Sequence, residues 1–278
     1  MIGRHAMPHA RALGWVVGLA VAFSARPAHA GGSADLQDTD WRQARVEPLD
    51  PDEGSVHPGH FAFELRFAPY WPEVDEEFGG NATPYESMFG GKARLYFGLE
   101  IDWQPFRIPY IGTIGPSFGW GYTRSSAKAI IVSSGLPADA DTSLTILPMN
   151  VSAVLRGDYL LQKWRVPIVP YVKAGLGFGL WTASGPAGTS EYLPDGSPAD
   201  ATPVKGQGTS LGLNLALGGA VVLTAFDASS QSAMRQDSGI DDAFLFGEWM
   251  WANLDGIGSY PQMHVGTSTA AFGLGIDW

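Results

Sequence analysis

From His60 onward the chain alternates large apolar residues with small or polar ones at a period of two. Phe61, Phe63, Leu65 and Phe67 alternate with Ala62, Glu64, Arg66 and Ala68, the signature of a strand with two unlike faces. The pattern returns at Leu95–Trp103 against Arg94–Asp102, and at Ile114, Pro116, Phe118, Trp120 and Tyr122 against glycine and Ser117. A fourth segment, Leu144–Leu155, is apolar on both parities, so its facing stays open. The fifth sets Val172, Ala174, Leu176, Phe178 and Leu180 against Tyr171, Lys173 and three glycines, and the sixth sets Leu211–Leu217 against Gly212, Asn214, Ala216 and Gly218. The seventh, Ala243–Leu254, carries Phe244, Phe246, Trp249 and Trp251 with Glu248 among them. The eighth sets Phe272, Leu274, Ile276 and Trp278 against Gly273, Gly275 and Asp277.

Each segment is about 9 to 13 residues long, where a tilted bilayer-crossing strand needs roughly 9 to 11 and soluble strands average five or six. The connections, at about 69–92, 104–112, 125–142, 156–167, 183–207, 227–241 and 255–264, alternate between long polar and shorter ones. Long ones suit the outer side of an outer-membrane barrel and short ones the periplasmic side. The sixth is a misfit at about fifteen residues, and Ala228–Gln236 reads there as a short helix. An even strand count puts both termini in the periplasm. The segments therefore predict an all-β, eight-stranded antiparallel up-and-down transmembrane β-barrel over residues 60–278, with long extracellular loops.

The faces separate this barrel from a soluble one. A soluble barrel carries charge on its outside, whereas here the small-residue faces hold glycine and a few charges, fitting a narrow lumen within a lipid-facing exterior. Aromatic residues gather near segment ends: Phe67, Tyr70, Trp71, Trp103, Phe106, Tyr110, Trp164, Tyr171, Trp181 and Trp278. Rings with a polar edge sit well at headgroup depth, so these predict two interfacial girdles. Residues 206–226 lack charge and compete as a membrane helix, but five glycines, Asn214 and the leucine alternation favour a strand.

Composition agrees. Of 278 residues only 16% are charged, against roughly 25% in soluble domains. There is no cysteine, which excludes disulfides, thiolate metal sites and a lipoprotein anchor. The net charge of −11 excludes a nucleic-acid partner. Residues 1–30 read as a cleaved signal peptide: Arg4 and Arg11, an apolar run from Leu13 to Phe23, then Ala28-His29-Ala30 as a cleavage site. Its removal leaves 14 basic against 28 acidic residues, a net charge of −14. Residues 31–59, polar and without period, read as a flexible periplasmic lead-in.

The closing residues AFGLGIDW resemble the C-terminal recognition signal of bacterial outer-membrane β-barrels, with Phe272, Leu274, Ile276 and Trp278 at the matching positions. The resemblance implies the outer membrane of a Gram-negative bacterium, and the barrel-assembly machinery as a partner through this strand. Ile146–Leu160 followed by Pro167–Trp181 is similar to small outer-membrane barrel families common in myxobacteria and their relatives. With Gly239–Glu248 and the closing strand, that resemblance covers most of residues 60–278. It implies location and fold and leaves activity open.

The chemistry-bearing residues expected in the lumen are Glu64, Arg66, Arg94, Glu100, Asp102, Lys173, Glu248 and Asp277. Unpaired charges are costly in a low-dielectric lumen, so these are expected to pair as a plug; a hydrated, narrow ion-conducting pore is the alternative. A lipid-modifying hydrolase needs a nucleophile held against a base, and only His60, His264 and Ser268 offer a weak version. Gly175–Gly179 sits inside a strand with no helix after it, so it is no nucleotide fingerprint. The acidic runs Asp75–Glu77 and Asp139–Asp141 read as solvated loop charge. The sequence thus predicts a monomeric, non-enzymatic barrel embedded in outer-membrane lipid, without cofactor or metal. Its role would be structural or one of surface interaction through loops at about 69–92, 125–142 and 183–207.

Overall fold

The computed structural model describes residues 61–130, 137–193, 201–257 and 262–278. The expected signal peptide and lead-in, and His60, lie outside the described residues. Eight long strands close into one antiparallel barrel. They are β1 (Phe61–Tyr70), β2 (Arg94–Trp103), β3 (Gly112–Ile130), β4 (Pro137–Arg156), β5 (Ile168–Gly185), β6 (Gln207–Val222), β7 (Asp242–Asn253) and β8 (Thr267–Asp277). Each pairs with its neighbours in chain order. Closure comes from β8 against β1, with Phe67 opposite Phe272 and Ala62 opposite Asp277. A closed sheet has no free edge along its girth, so every ladder group finds a partner there. No helix among the described residues is long and apolar enough to cross a membrane, and residues 207–222 form β6.

The alternation of the sequence becomes inside and outside. On β1, Ala62, Glu64, Arg66, Ala68 and Tyr70 are buried while Phe61 and Phe67 are exposed. Outward residues around the girth include Ile101, Phe118, Val151, Leu176, Leu215, Leu245 and Phe272, all exposed. β4, whose facing the sequence leaves open, turns Leu144, Ile146, Asn150, Ser152, Val154 and Arg156 inward.

Two expectations need correction. The predicted loop at 125–142 is largely sheet, because β3 and β4 run on as a hairpin to Ile130 and back from Pro137. On β7, for which the sequence sets no single apolar face, the rings divide: Phe244 and Phe246 are buried, whereas Trp249 is exposed. Residues of unlike parity on one strand cannot share a face. Tyr70 and Tyr171 leave the predicted girdles for the lumen, where both are buried, and Trp181 packs partly buried against the core there. Each of these three has the parity of its strand's small or charged residues.

Connections at the end of the barrel away from the described C-terminus fold back into its mouth. After β1 come a 3-10 turn (Val74–Phe78) and α1 (Pro84–Phe89). The Asp75 carboxylate accepts the N–H groups of Tyr85 (2.7 Å) and Glu86 (2.9 Å), so the acidic run there holds α1 in place. The β7–β8 connection also enters: Leu254 and Val265 are buried, Ser210 donates to the Met263 carbonyl (2.6 Å), and Leu211 N–H donates to Gln262 (2.8 Å). At the opposite end the turns carry α2 (Tyr159–Trp164), between β4 and β5, and α3 (Ala228–Ser238), between β6 and β7. α3 spans the short helix that the sequence predicts.

Candidate functional site: an ion-paired lumen

Two apolar clusters and a network of charges fill the lumen. In the mouth, Tyr70, Val74, Tyr85, Tyr96, Leu144, Ile146, Leu254 and Val265 form one apolar cluster. Near the other end, Val169, Tyr171, Ala220, Val222, Phe244 and Phe246 form a second, with Leu161 of α2 packed against it. Buried charge occupies the interior as well, on strands from all around the wall.

Glycine makes room for these side chains. A Cβ at Gly275 would lie 2.3 Å from the Phe244 ring, and one at Gly273 would lie 2.5 Å from Phe246. On the other wall, Gly98 and Gly121 leave the space that the Tyr96 ring occupies. At these positions a bulky inward ring fits because a glycine stands beside it. This is the physical reason for the small-residue faces.

The charged group is a network of alternating sign. Arg66 of β1 pairs with Glu100 of β2 and Glu248 of β7. Lys173 of β5 pairs with Glu100 and donates to Glu64 at 2.8 Å, with Asp102 3.8 Å away. Arg156 of β4 donates to Glu64 (2.8 Å) and Asp102 (2.7 Å) and reaches Asp277 at 3.4 Å. Tyr171 donates to Glu248 at 2.9 Å. The guanidinium of Arg156 also lies 5.0 Å over the Phe244 ring, and Lys173 lies 5.1 Å from that of Tyr171, a contact that favours a desolvated cation. In this interior a missing partner would leave a bare buried charge.

Of the residues expected in the lumen, Glu64, Arg66, Glu100, Asp102, Lys173 and Glu248 are buried and come together in this network. Asp277 sits at the rim with its side chain 27% exposed and meets Arg156. Arg94 stands apart at the mouth, half-buried, and donates to the Phe89 carbonyl. Arg156, which contacts three of the carboxylates, is absent from the expected set. Its signal was available only through the facing of β4, which apolar residues on both parities concealed.

Oxygens of Glu64, Glu100 and Asp102 lie within 4.8 Å of one another, a donor set of the kind that holds a metal. Lys173 and Arg156 already supply positive charge to these carboxylates. The residues present therefore fit an ion-paired core better than a metal centre. The triad-like residues do not assemble: Ser268 faces outward and accepts from the Trp249 indole N–H (3.1 Å), and no hydrogen bond joins it to His264 among the described residues. Asp141 of the other acidic loop run pairs with Lys128 at 3.0 Å.

No family model matches the chain, and no curated protein matches it in sequence. The resemblance to the myxobacterial barrel families thus has no family match behind it. Among solved structures the chain is similar to Ail, the attachment invasion locus protein of Yersinia pestis. In its complex with the heparin analogue sucrose octasulfate, Ail is 11% identical, with 79% of this chain and 97% of that chain covered and a TM-score of 0.39. A second Ail structure gives a TM-score of 0.38 at the same identity and coverage. The N-terminal β-barrel domain of Pseudomonas aeruginosa OprF is also 11% identical, with 79% and 98% covered and a TM-score of 0.34.

Proposed function

We propose that this chain is a barrel of the bacterial outer membrane, exported through a signal peptide at residues 1–30. Its role is structural or one of surface interaction, exercised by the connections at the end away from the described C-terminus. The filling of the lumen carries this reading. Two apolar plugs and a buried ion-paired network occupy the interior, which favours a closed barrel over a pore and leaves the projecting β3–β4 and β5–β6 hairpins as the surface available to a partner. The girth of exposed apolar side chains supports lipid as its surroundings. The outward alternation of Phe272, Leu274 and Ile276 with Trp278 supports β8 as the strand read by the barrel-assembly machinery.

The absence of native cysteine makes the test direct. On intact cells a membrane-impermeant maleimide labels Ala187→Cys, in the β5–β6 connection, and spares Gln236→Cys in α3. Labelling of Gln236→Cys alone would reverse the orientation and remove the proposed interaction surface. Purified protein in planar bilayers is expected to stay silent across voltages; steady single-channel currents would restore the pore.

A further inference from the structure

Helix α2 and the turn beside it form an exposed patch that the barrel itself does not use. Gln162, Lys163, Trp164 and Arg165 are all exposed, with Trp164 at 63%. Tyr110, from the β2–β3 turn, is 84% exposed and stands 6.4 Å edge-on to Tyr159, which stands 6.5 Å edge-on to Trp164. Lys163 lies 5.2 Å from the Tyr159 ring and donates to its hydroxyl at 2.7 Å. The neighbouring carboxylate, Asp158, is taken by Arg107 through both oxygens (3.0 Å each) and by Gln162 (3.0 Å). Among the described residues, Lys163 and Arg165 therefore present positive charge with no carboxylate of their own, in a chain of 28 acidic and 17 basic residues.

The backbone holds the patch in place at a cost. Tyr110 (φ 64°) and Arg165 (φ 54°) both adopt the left-handed conformation that side chains disfavour. At Arg165 this turn ends α2, its N–H bonding to the Leu161 carbonyl at 3.1 Å. Leu161 anchors the helix from below by packing against the inner apolar cluster.

Exposed aromatic rings beside cations without a carboxylate partner among the described residues, at the end of the barrel where Trp103, Phe106 and Ile168 are also exposed, match the chemistry of a lipid headgroup layer. The rings sit at the boundary between chain and headgroup, and the cations meet phosphate. We infer that Tyr110, Tyr159, Lys163, Trp164 and Arg165 form a headgroup subsite for an anionic phospholipid in the leaflet at this end of the barrel. The subsite rests on the membrane reading above. Lys163 and Arg165 bind the phosphodiester and any further anionic group, while Trp164 and Tyr110 flank the glycerol region. The Arg107–Asp158 pair keeps the Asp158 carboxylate from repelling the lipid.

The full chain, refolded into vesicles of equal phosphatidylcholine and phosphatidylglycerol and transferred to nanodiscs, is analysed by native mass spectrometry for retained lipid. A cation at a charged leaflet is worth roughly fivefold in occupancy. Wild type should thus retain phosphatidylglycerol over phosphatidylcholine several-fold, and Lys163→Gln/Arg165→Gln should fall to near parity. Lys92→Gln/Lys205→Gln removes two exposed cations from the other end and should keep the wild-type preference. Equal retention of both lipids by wild type, an unchanged preference in Lys163→Gln/Arg165→Gln, or an equal loss in the control variant would each overturn the subsite. Failure of wild type to insert, seen as unshifted gel mobility before and after boiling, would instead overturn the membrane reading beneath it.

Discussion

Lys173 of β5 donates across the barrel to Glu64 of β1, Nζ to Oε2 at 2.8 Å. The two strands stand opposite in the closed order, each four positions from the other in either direction. A single ion pair therefore spans the lumen, and with Arg66 and Arg156 it ties together walls that share no ladder hydrogen bond.

Lys173→Met leaves Glu64 and Glu100 short of a cation in a buried site. Removing one partner of a buried pair costs about 3–5 kcal/mol, so the urea midpoint of the vesicle-embedded barrel should drop sharply. Adding Glu100→Gln should return part of the loss. A single variant as stable as wild type would mean that water reaches this layer.

Arg156→Leu tests the residue that the sequence pattern hides. It removes a partner from Glu64, Asp102 and Asp277 together, so its loss of stability should equal or exceed that of Lys173→Met. Arg94→Leu, at the mouth, should cost less, about 1.5–3 kcal/mol at most, the worth of one hydrogen bond from a charged donor.

The socket formed by Gly275 makes a further prediction. Its Cβ would lie 2.3 Å from the Phe244 ring, so Gly275→Ala should destabilise by about 1–3 kcal/mol through overpacking. Phe244→Ala on that background should be less harmful than on wild type. Purely additive unfolding energies in this double-mutant cycle would separate the two positions.

The mouth should respond to pH through Glu73, which lies beyond β1 in the connection. Burial, and then the neighbouring Glu76 and Asp255 carboxylates, push its pKa from 4.5 up to about 7. The folded connection thus prefers the protonated acid. Its contribution to stability is complete below pH 4.5 and fades as pH rises through about 7. Protease cleavage within residues 71–93 should accelerate between pH 5 and pH 8 in wild type, and Glu73→Gln should flatten that rise.

The strands and most of their facing are legible in the sequence, because a pleated strand turns alternate residues to opposite sides. On β1, β2, β3, β5, β6 and β8 one parity is large and apolar and the other small or charged, and burial follows it. Six of the charged residues that meet in the lumen could be read the same way. Tertiary structure alone decided the rest. β4 carries apolar residues on both faces, so only its pairing with β3 and β5 brings Leu144, Ile146 and Arg156 inside. Phe244 and Phe246 point inward because Gly275 and Gly273 on the next strand leave space for them, a fact of register rather than of either strand's own pattern. The mouth plug likewise joins residues far apart in the chain: Tyr70 donates to the Val265 carbonyl, and Tyr85 shares a 2.6 Å hydrogen bond with Ser125. Periodicity assigns each side chain a face, but the volume and charge that it meets there come from its neighbouring strands and from those across the barrel.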